Sequence, residues 1–374
     1  MRVHGGGIWD VLDFSVNTNP LGPPKILEEE IACCCKAGVY RAYPDSNYTG
    51  LKEAIAYFHS LDEDLLVACN GASEALSLAL IALKPRNLLV VSPSYGDYDL
   101  LCEGIEAKCR HLVMRVIGGA FEFDADQVVE EVEDLDAVTV VITNPNNPTG
   151  LVVGEEVLLG LAEELNGEAW LVVDEVYAEL SGHRGLLGRG LENVVVVRSF
   201  TKVFGAPGLR LGFAYTASKK LLRRMEAIRP TWNISSIAEA TFRKILVEAK
   251  EELWSFIRRS SQYIAEERAR LIRSLSRLGY RVYGSEANFL LLKHPWIDSR
   301  VLRDELLRRY RVHVRSAHTF RGLTRYHTRI AVRRRDENEL LVRALGELAG
   351  EVLKSEPPLN ADVQSGFLNA GKAR

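Results

Sequence analysis

The chain has 374 residues, and its 47 lysine and arginine residues nearly balance 50 aspartate and glutamate residues, leaving a net charge of −3. This balance favours neither nucleic acid nor an anionic membrane as a partner. The longest apolar runs, LVVSPSYG and AVTVVITNP, are too short to span a bilayer. The sequence therefore predicts a globular protein without a membrane span, and its length fits two domains.

The first segment, residues 1–24, is rich in Gly, Asn and Pro, which predicts an irregular N-terminal arm. The arm shows no basic region followed by an apolar one, so we expect no signal peptide. We therefore expect the protein to be cytoplasmic.

From about residue 50 onward, helical and strand patterns alternate along the chain. The stretch LKEAIAYFHSL is amphipathic, and SEALSLALIAL predicts a helix with Ser73 as its N-cap. Short β-branched runs occur at NLLVVSPSY, AVTVVITNPNNPTG, AWLVVDEVY and NVVVVRSF. Strands buried on both faces read as continuous apolar runs, so this part predicts an α/β fold with a largely parallel sheet.

After about residue 235 the pattern changes to a long charged helical stretch, residues 236–275, followed by mixed strands and helices. This change predicts a second, smaller α+β domain. The predicted organisation is an arm at 1–24, a large domain at 45–235, a small domain at 25–44 and 236–353, and a flexible tail at 354–374.

The cysteines all lie in the first third of the chain, namely Cys33, Cys34, Cys35, Cys69, Cys102 and Cys109. The triplet lies in a helical pattern, in which neighbours point about 100° apart and cannot form one metal-binding face. No C-x-x-C pair has a matching partner. We therefore expect buried, reduced, structural thiols and no metal site.

Polar and small residues follow the predicted core strands, at the sheet edge where α/β proteins bind ligands. They are Gly71, Ala72, Ser73, Asn147, Asp174, Tyr177, Ser199, Thr201, Lys202 and Arg210. A helix N-terminus with small residues, such as Gly71–Ser73, can cradle a phosphate. Ser199 and Arg210 can add a hydroxyl and a bidentate cation to the same phosphate.

The remaining members of this set match the other parts of one cofactor. Asp174 can hold a proton on a ring nitrogen, and Asn147 and Tyr177 can donate to a phenolate oxygen. Tyr95, in SPSYGDYD, can stack on a flat ring. Lys202 can react with an aldehyde to form an imine. Pyridoxal 5′-phosphate has all of these parts, so the sequence predicts it as the cofactor.

The motifs NPNNPTG, DEVY, S-x-x-K and R-x-G resemble, in this order, those of fold-type I pyridoxal-phosphate enzymes in the class I/II aminotransferase superfamily. The resemblance covers about residues 4–350. It implies a large domain with a mostly parallel seven-stranded sheet and a smaller α+β domain. It also implies that Lys202 carries the cofactor, with Arg210 lowering the pKa of the amine. Tyr43 would reach the phosphate of a neighbouring subunit, which implies a homodimer.

Two further stretches indicate the substrate. The arm HGGGIWDVLDFSVNTNPLGPP and the segment VHVRSAHTFRGLTRYHTRIAVR are similar to those of threonine-phosphate decarboxylases of cobalamin synthesis. By this resemblance His4, Asn17 and Arg315 contact a substrate phosphate, and Arg333 binds the α-carboxylate. The implied substrate is a phosphorylated amino acid, L-threonine O-3-phosphate, which loses CO₂ to give (R)-1-amino-2-propanol phosphate.

An aminotransferase is the alternative, acting on histidinol phosphate or a related amino acid with 2-oxoglutarate, because such enzymes share the N-x-N-P-like element. The segment RPTWNISSIA departs from the P-W-S-x-N usual in the superfamily, which leaves the roles of Trp232 and Asn233 open. An esterase is excluded because HGGG has no G-x-S-x-G partner. A dinucleotide fold is disfavoured because GGG does not open a helix after a strand. A non-catalytic regulatory protein would need an added DNA-binding domain, for which the chain has no room.

Overall fold

The computed structural model describes residues 5–7 and 10–355, with side chains described up to residue 351. The predicted site residue His4 and most of the predicted tail lie outside the described residues. In the described part of the chain, no helix is both long and apolar enough to cross a membrane.

The strands of the described residues are β1 (Leu12–Asp13), β2 (Leu66–Cys69), β3 (Asn87–Ser92), β4 (Lys108–Val113), β5 (Arg115–Ile117), β6 (Ala120–Glu122), β7 (Val138–Thr143), β8 (Ala169–Asp174), β9 (Val194–Ser199), β10 (Gly212–Tyr215), β11 (Arg281–Val282), β12 (Phe289–Lys293), β13 (Val312–His313), β14 (Arg315–Ser316) and β15 (His327–Ala331). The α-helices are α1 (Lys25–Ala37), α2 (Thr49–His59), α3 (Gly71–Leu83), α4 (Asp97–Gly104), α5 (Ala125–Glu133), α6 (Glu155–Glu164), α7 (Ala178–Ser181), α8 (Phe200–Val203), α9 (Lys219–Ile228), α10 (Ser236–Glu248), α11 (Lys250–Arg277), α12 (Ser299–Tyr310) and α13 (Arg335–Ser355).

A seven-stranded sheet forms the centre of the molecule, with the strand order β2-β10-β9-β8-β7-β3-β4. The pairs among β9, β8, β7, β3 and β4 are parallel, and only β10 runs antiparallel to its neighbours. Every residue of β3, β7 and β9 is buried, as expected for strands covered by helices on both faces. The predicted mostly parallel α/β sheet is confirmed.

A second sheet of four antiparallel strands, in the order β11-β12-β15-β14, lies in the C-terminal part of the chain. Its core includes Leu290, Leu292 and Ile330 and packs against Leu345 of α13. The arm joins this part because β1 pairs in parallel with β13. The predicted domain boundaries stay a prediction.

Local details differ from the sequence analysis in two places. Helix α3 begins at Gly71 with Asn70 as the N-cap, so the prediction of Ser73 as N-cap is wrong. Among the described residues, no side chain caps the first N–H groups of the helix, and the Glu74 carboxylate accepts the backbone N–H of Asn70 at 2.6 Å. The single helical stretch predicted at 236–275 is two helices, α10 and α11, which meet at Ala249.

The cysteine prediction is wrong for four of the six residues. Cys102 and Cys109 form a disulfide, which joins the end of α4 to β4. Cys33 and Cys35 are exposed, because consecutive helical positions point in different directions and only Cys34 faces the interior. Cys34 and Cys69 are buried free thiols, as predicted.

Candidate active site

A cavity of about 490 Å³ opens at the carboxyl ends of the central parallel strands. Parallel strands end at the same sheet edge, so residues distant in sequence converge there. The predicted cofactor residues that line this cavity are Ala72, Ser73, Tyr95, Asn147, Asp174, Tyr177, Ser199, Thr201, Lys202 and Arg210.

Lys202 lies in the one-turn helix α8, directly after β9, and its side chain is half-buried. Burial and the positive charges of Arg329 and Arg210 together lower the pKa of Lys202 to about 8, while the Asp174 carboxylate acts in the opposite direction. A substantial fraction of the amine is therefore neutral near pH 8. A neutral amine is the form that attacks an aldehyde.

Asp174 is the last residue of β8, lines the cavity and is buried. Burial raises the pKa of its carboxyl group to about 6, although hydrogen bonds from the Val176 N–H at 3.3 Å and the Tyr98 hydroxyl at 3.1 Å favour the ionised form. The Tyr98 hydroxyl also lies 2.9 Å from Thr143 Oγ1. Tyr98 thus holds the carboxylate, a role that the sequence analysis missed.

The end of the cavity where α3 begins is suited to bind an anion. The first N–H groups of this helix have no partner within the helix, and Gly71 adopts a positive φ of 76° that brings them toward Arg210. A Cβ atom at Gly71 would lie 2.7 Å from Arg210 Nη2, and the positive φ itself favours glycine at this position. The hydroxyls of Ser199 and Thr201 lie 2.7 Å apart beside it. This set suits a phosphate.

The walls between these ends are aromatic and amide side chains. The Tyr95 hydroxyl donates to Asp97 at 2.8 Å, and its ring packs edge-to-face against Tyr98. The Tyr177 hydroxyl accepts from Asn17 Nδ2 at 3.4 Å, which brings the N-terminal arm to the cavity. Burial raises the pKa of Tyr177, so its hydroxyl stays protonated and can donate to an oxyanion.

A second cavity of about 200 Å³ adjoins the first and shares its Lys202 wall. Its other walls come from the arm and the small sheet: Gly5, Ser15, Val16, Asn17, Arg315, Phe320 and Arg329. Two predicted substrate residues, Asn17 and Arg315, therefore lie beside Lys202. Arg315 donates to the Ser316 carbonyl at 2.6 Å and to Thr319 Oγ1 at 2.8 Å, and burial lowers its pKa to about 10.

Arg333, predicted to bind the substrate carboxylate, lines neither cavity, whereas Arg329 lines the smaller one. The Arg333 guanidinium donates to Glu337 at 2.7 Å and to the Asp13 carbonyl at 3.0 Å. Arg329 is buried on β15, donates to Asn147 Oδ1 at 2.7 Å and to the Ser15 carbonyl, and its Nε has no hydrogen-bond partner within the described residues. The physical reason is position: Arg329 lies within the strand, whereas Arg333 follows its end and turns to α13.

Tyr43 also lies away from the cavities. Its side chain is 76% exposed and stacks on Trp232, with ring centroids 4.3 Å apart. Asn233 lines neither cavity, and its side-chain amide donates to Glu74. The predicted contact of Tyr43 with a neighbouring subunit stays a prediction.

The profile of the family described as aminotransferase class I and II matches residues 9–345. The chain belongs to this family. The predicted enzyme class and the cofactor, pyridoxal 5′-phosphate, are thereby confirmed. The described residues fit this cofactor, because the cavity offers separate partners for a phosphate (Arg210), a ring nitrogen (Asp174), a phenolic oxygen (Tyr177) and an aldehyde (Lys202).

Similar proteins carry two kinds of name. The chain is 29% identical over 365 residues to the threonine-phosphate decarboxylase of Salmonella typhimurium, covering 91% of this chain and 95% of that one. It is 30% identical over 346 residues to the adenosylcobalamin biosynthesis bifunctional protein CobDQ of Leptospira interrogans, covering 91% of this chain but only 39% of that protein's length. The histidinol-phosphate aminotransferase structure from Clostridium acetobutylicum superposes with a TM-score of 0.81 at 28% identity, covering 91% of this chain and all of that one.

Proposed function

We propose that this protein is an L-threonine O-3-phosphate decarboxylase that forms (R)-1-amino-2-propanol phosphate. One observation carries the proposal. Arg315 and Arg329 are directly opposite each other on the paired strands β14 and β15, both buried, and both line the cavity beside Lys202. Like charges directly opposite on neighbouring strands destabilise a sheet. Such a pair is favourable when a substrate with two anionic groups binds between the side chains.

Threonine phosphate has these two groups, an α-carboxylate and a phosphate. We assign the carboxylate to Arg329, because its guanidinium donates a 2.7 Å hydrogen bond to Asn147, which lines the cofactor cavity. The substrate phosphate is then assigned to Arg315, which lines the second cavity. Arg210 is left for the cofactor phosphate, so each phosphate has its own arginine.

The N-terminal arm supports this assignment. Asn17 uses its amide nitrogen for Tyr177, and its Oδ1 is buried without a hydrogen-bond partner among the described residues. A buried unpaired carbonyl oxygen costs free energy, roughly 1–3 kcal/mol, unless a ligand supplies a donor. The substrate ammonium group, or a protonated oxygen of its phosphate, is such a donor. His4, which lies outside the described residues, is included in the proposal only because the arm resembles that of threonine-phosphate decarboxylases.

The roles of the chain's own residues follow from their positions. When bound, pyridoxal phosphate supplies an electron-withdrawing ring that weakens the bonds at the substrate Cα. Asp174, ionised above pH 6, stabilises a proton on the ring nitrogen. Arg329 holds the carboxylate that is to leave, and Lys202, which borders both cavities, returns a proton to Cα once CO₂ has left.

The alternative is an aminotransferase for histidinol phosphate, favoured by the similarity to the Clostridium acetobutylicum enzyme. Incubation with L-threonine O-3-phosphate distinguishes the two. We expect CO₂ and aminopropanol phosphate, without need for 2-oxoglutarate. The decarboxylase proposal is overturned if threonine phosphate is inert while histidinol phosphate and 2-oxoglutarate yield glutamate.

Arg315→Gln tests the phosphate assignment against a matched control. Arg311→Gln removes an arginine from the same segment, but that side chain is exposed and donates to the Asp10 carbonyl. We expect Arg315→Gln to raise KM for threonine phosphate by about 10- to 100-fold, the loss of roughly 1.5–3 kcal/mol from a charged hydrogen bond, and Arg311→Gln to leave it unchanged. Unphosphorylated L-threonine should not discriminate between the two variants.

We also propose that the protein is a cytoplasmic homodimer with shared active sites. The aromatic side chains Tyr40 and Tyr43 are 60% and 76% exposed, which is unusual for residues of this type. If a second copy covers this surface, Tyr43 of each subunit would reach the cofactor phosphate of the other subunit. Sedimentation of the holoenzyme and cell fractionation test the two parts of this proposal.

A further inference from the structure

A cluster of metal-ligating side chains lies at the sheet edge, between α4 and β4, away from the cofactor cavity. Asp99 and Cys102 are three residues apart and share one face of α4. Cys109 and His111 are two residues apart and share one face of β4. Among the described residues, the ligand atoms of Asp99, Cys109 and His111 all lie within 4.8 Å of one another. Cys102 is disulfide-bonded to Cys109, but its sulfur atom lies outside this group of three ligand atoms.

We propose that this cluster is a redox-dependent zinc site, which forms when the disulfide between Cys102 and Cys109 is reduced. A thiolate (Cys109), an imidazole nitrogen (His111) and a carboxylate oxygen (Asp99) are donors that Zn²⁺ takes in tetrahedral protein sites, with water as the fourth ligand. The proposal depends on no residue of the cofactor cavity. It is therefore independent of which amino acid the enzyme converts.

The ligand atoms of Asp99, Cys109 and His111 fit three positions of a tetrahedral site after small movements. Metal–ligand bonds of about 2.0–2.3 Å place neighbouring ligand atoms roughly 3.3–3.8 Å apart. Asp99 Oδ1 lies 2.7 Å from His111 Nε2 and 3.4 Å from Cys109 Sγ. Shifts of about 1 Å or less therefore bring these atoms to coordination distance, and Asp99, which is exposed, can supply them by a change of rotamer.

The imidazole is oriented as metal sites require. Ser92 Oγ lies 2.9 Å from His111 Nδ1, so the other ring nitrogen, Nε2, faces the cluster. A hydrogen bond at the far nitrogen fixes the tautomer and raises the basicity of the coordinating nitrogen. The His111 side chain is only 11% exposed, whereas Asp99 is 48% exposed. The site is thus anchored on its buried side and open to metal entry from solvent.

The redox step balances with a dithiol reductant. Two-electron thiol–disulfide exchange breaks the Cys102–Cys109 sulfur–sulfur bond, gives two protein thiols, and converts the reductant to its own disulfide. Zn²⁺ binding then releases the thiol proton of Cys109. Oxidation reverses these steps and removes the thiolate, one of the three protein ligands. Either the disulfide or the metal fixes α4 to β4, and α4 carries Tyr98, which hydrogen-bonds Asp174.

Cobalt provides a direct readout of thiolate ligation. Holoenzyme is reduced with a phosphine reductant, freed of excess reagent, and titrated with Co²⁺ and then with Zn²⁺. We expect thiolate-to-cobalt charge-transfer absorption that saturates at one ion per chain and disappears when Zn²⁺ displaces cobalt. The oxidised holoenzyme should show none of this absorption.

Variants locate the ion. Cys109→Ser and His111→Gln should each weaken Zn²⁺ binding by more than about 100-fold, and Ser92→Ala by about 10- to 100-fold, as for an outer-shell partner. The double variant Cys33→Ser/Cys35→Ser is the matched control, since it removes two exposed thiols elsewhere and should bind Zn²⁺ like the wild type. Retained cofactor absorbance shows that each variant is folded. The proposal is wrong if reduced wild type gives no charge-transfer band, or if the band survives in Cys109→Ser and is lost in the control.

Discussion

Replacing Arg329 with glutamine tests the assignment of the substrate carboxylate most directly. Arg329 is buried and lines the cavity beside Lys202, whereas Arg333 lines neither cavity. Glutamine keeps a polar side chain of similar length but removes the charge and the bidentate geometry. We expect the variant to bind carboxylate substrates much more weakly.

The magnitude follows from the burial of this charge. Removing one partner of a buried, hydrogen-bonded charge pair costs about 2–5 kcal/mol. At about 1.4 kcal/mol for each factor of ten, kcat/KM for the amino acid substrate should fall by roughly 30- to 4,000-fold. A second effect concerns Lys202, because the positive charge of Arg329 helps to lower the pKa of its amine. Without that charge the pKa rises, so less amine is neutral at a given pH and cofactor attachment requires a higher pH.

Steady-state kinetics and the pH dependence of reconstitution with pyridoxal phosphate measure these two effects. Arg333→Gln is the matched control, because Arg333 lies only four residues further on but is bonded to Glu337 and Asp13. We expect it to change kcat/KM by less than about threefold, as for sites away from the substrate. The reasoning is refuted if Arg333→Gln reduces kcat/KM as described while Arg329→Gln does not.

Three further predictions follow from the cofactor cavity. Lys202→Ala should abolish turnover, and borohydride reduction of the wild-type holoenzyme should label Lys202 alone in peptide maps. Asp174→Asn should stabilise the apoprotein at pH 8 by about 3 kcal/mol. The reason is that a carboxyl pKa raised by about 2 units in the folded state makes that state less stable as the pH rises from about 4 to 6. The gain is measured by urea unfolding and should vanish at about pH 4. Mixing inactive Lys202→Ala and Tyr43→Ala subunits should restore activity if sites are shared, whereas no recovery after subunit exchange would contradict the shared site.

The cofactor cavity could be predicted because one topological rule places its members. The strands β7, β8 and β9 are parallel, so the residues that follow each strand meet at one edge. Asp174 ends β8, and Lys202 lies in the turn of helix after β9, and both positions are readable from continuous apolar runs followed by a polar residue. No knowledge of long-range packing was needed for these residues.

The substrate side was less accessible, because it depends on which residue of a strand faces which cavity. Arg329 and Arg333 are an even number of residues apart, so strand alternation alone puts both on the same face. What separates them is where β15 ends, at Ala331, and strand ends are the least certain part of a sequence-based assignment. Arg329 could have been found only by recognising that Arg315 lies opposite it, which is a tertiary pairing.

Two contacts between neighbouring elements were also missed, for a different reason. Tyr98 and Asp174 are 76 residues apart and meet because α4 packs beside β8. The Cys102–Cys109 pair is separated by only seven residues, but the helix-to-strand turn that brings the sulfur atoms together has no signature in residue type alone. Periodicity identifies the faces of each element, not the partner that each face meets.

The charges of the cofactor cavity connect stability to function. Burial moves Lys202 toward its neutral form and Asp174 toward its protonated form, since neither forms an ion pair with another of the described residues. Pyridoxal phosphate carries the complementary groups, a phosphate for Arg210 and a ring nitrogen for Asp174. Its binding free energy therefore includes relief of these unfavourable terms and appears as added stability of the folded chain. The residues that destabilise the apoprotein are thus the ones that make the holoenzyme reactive.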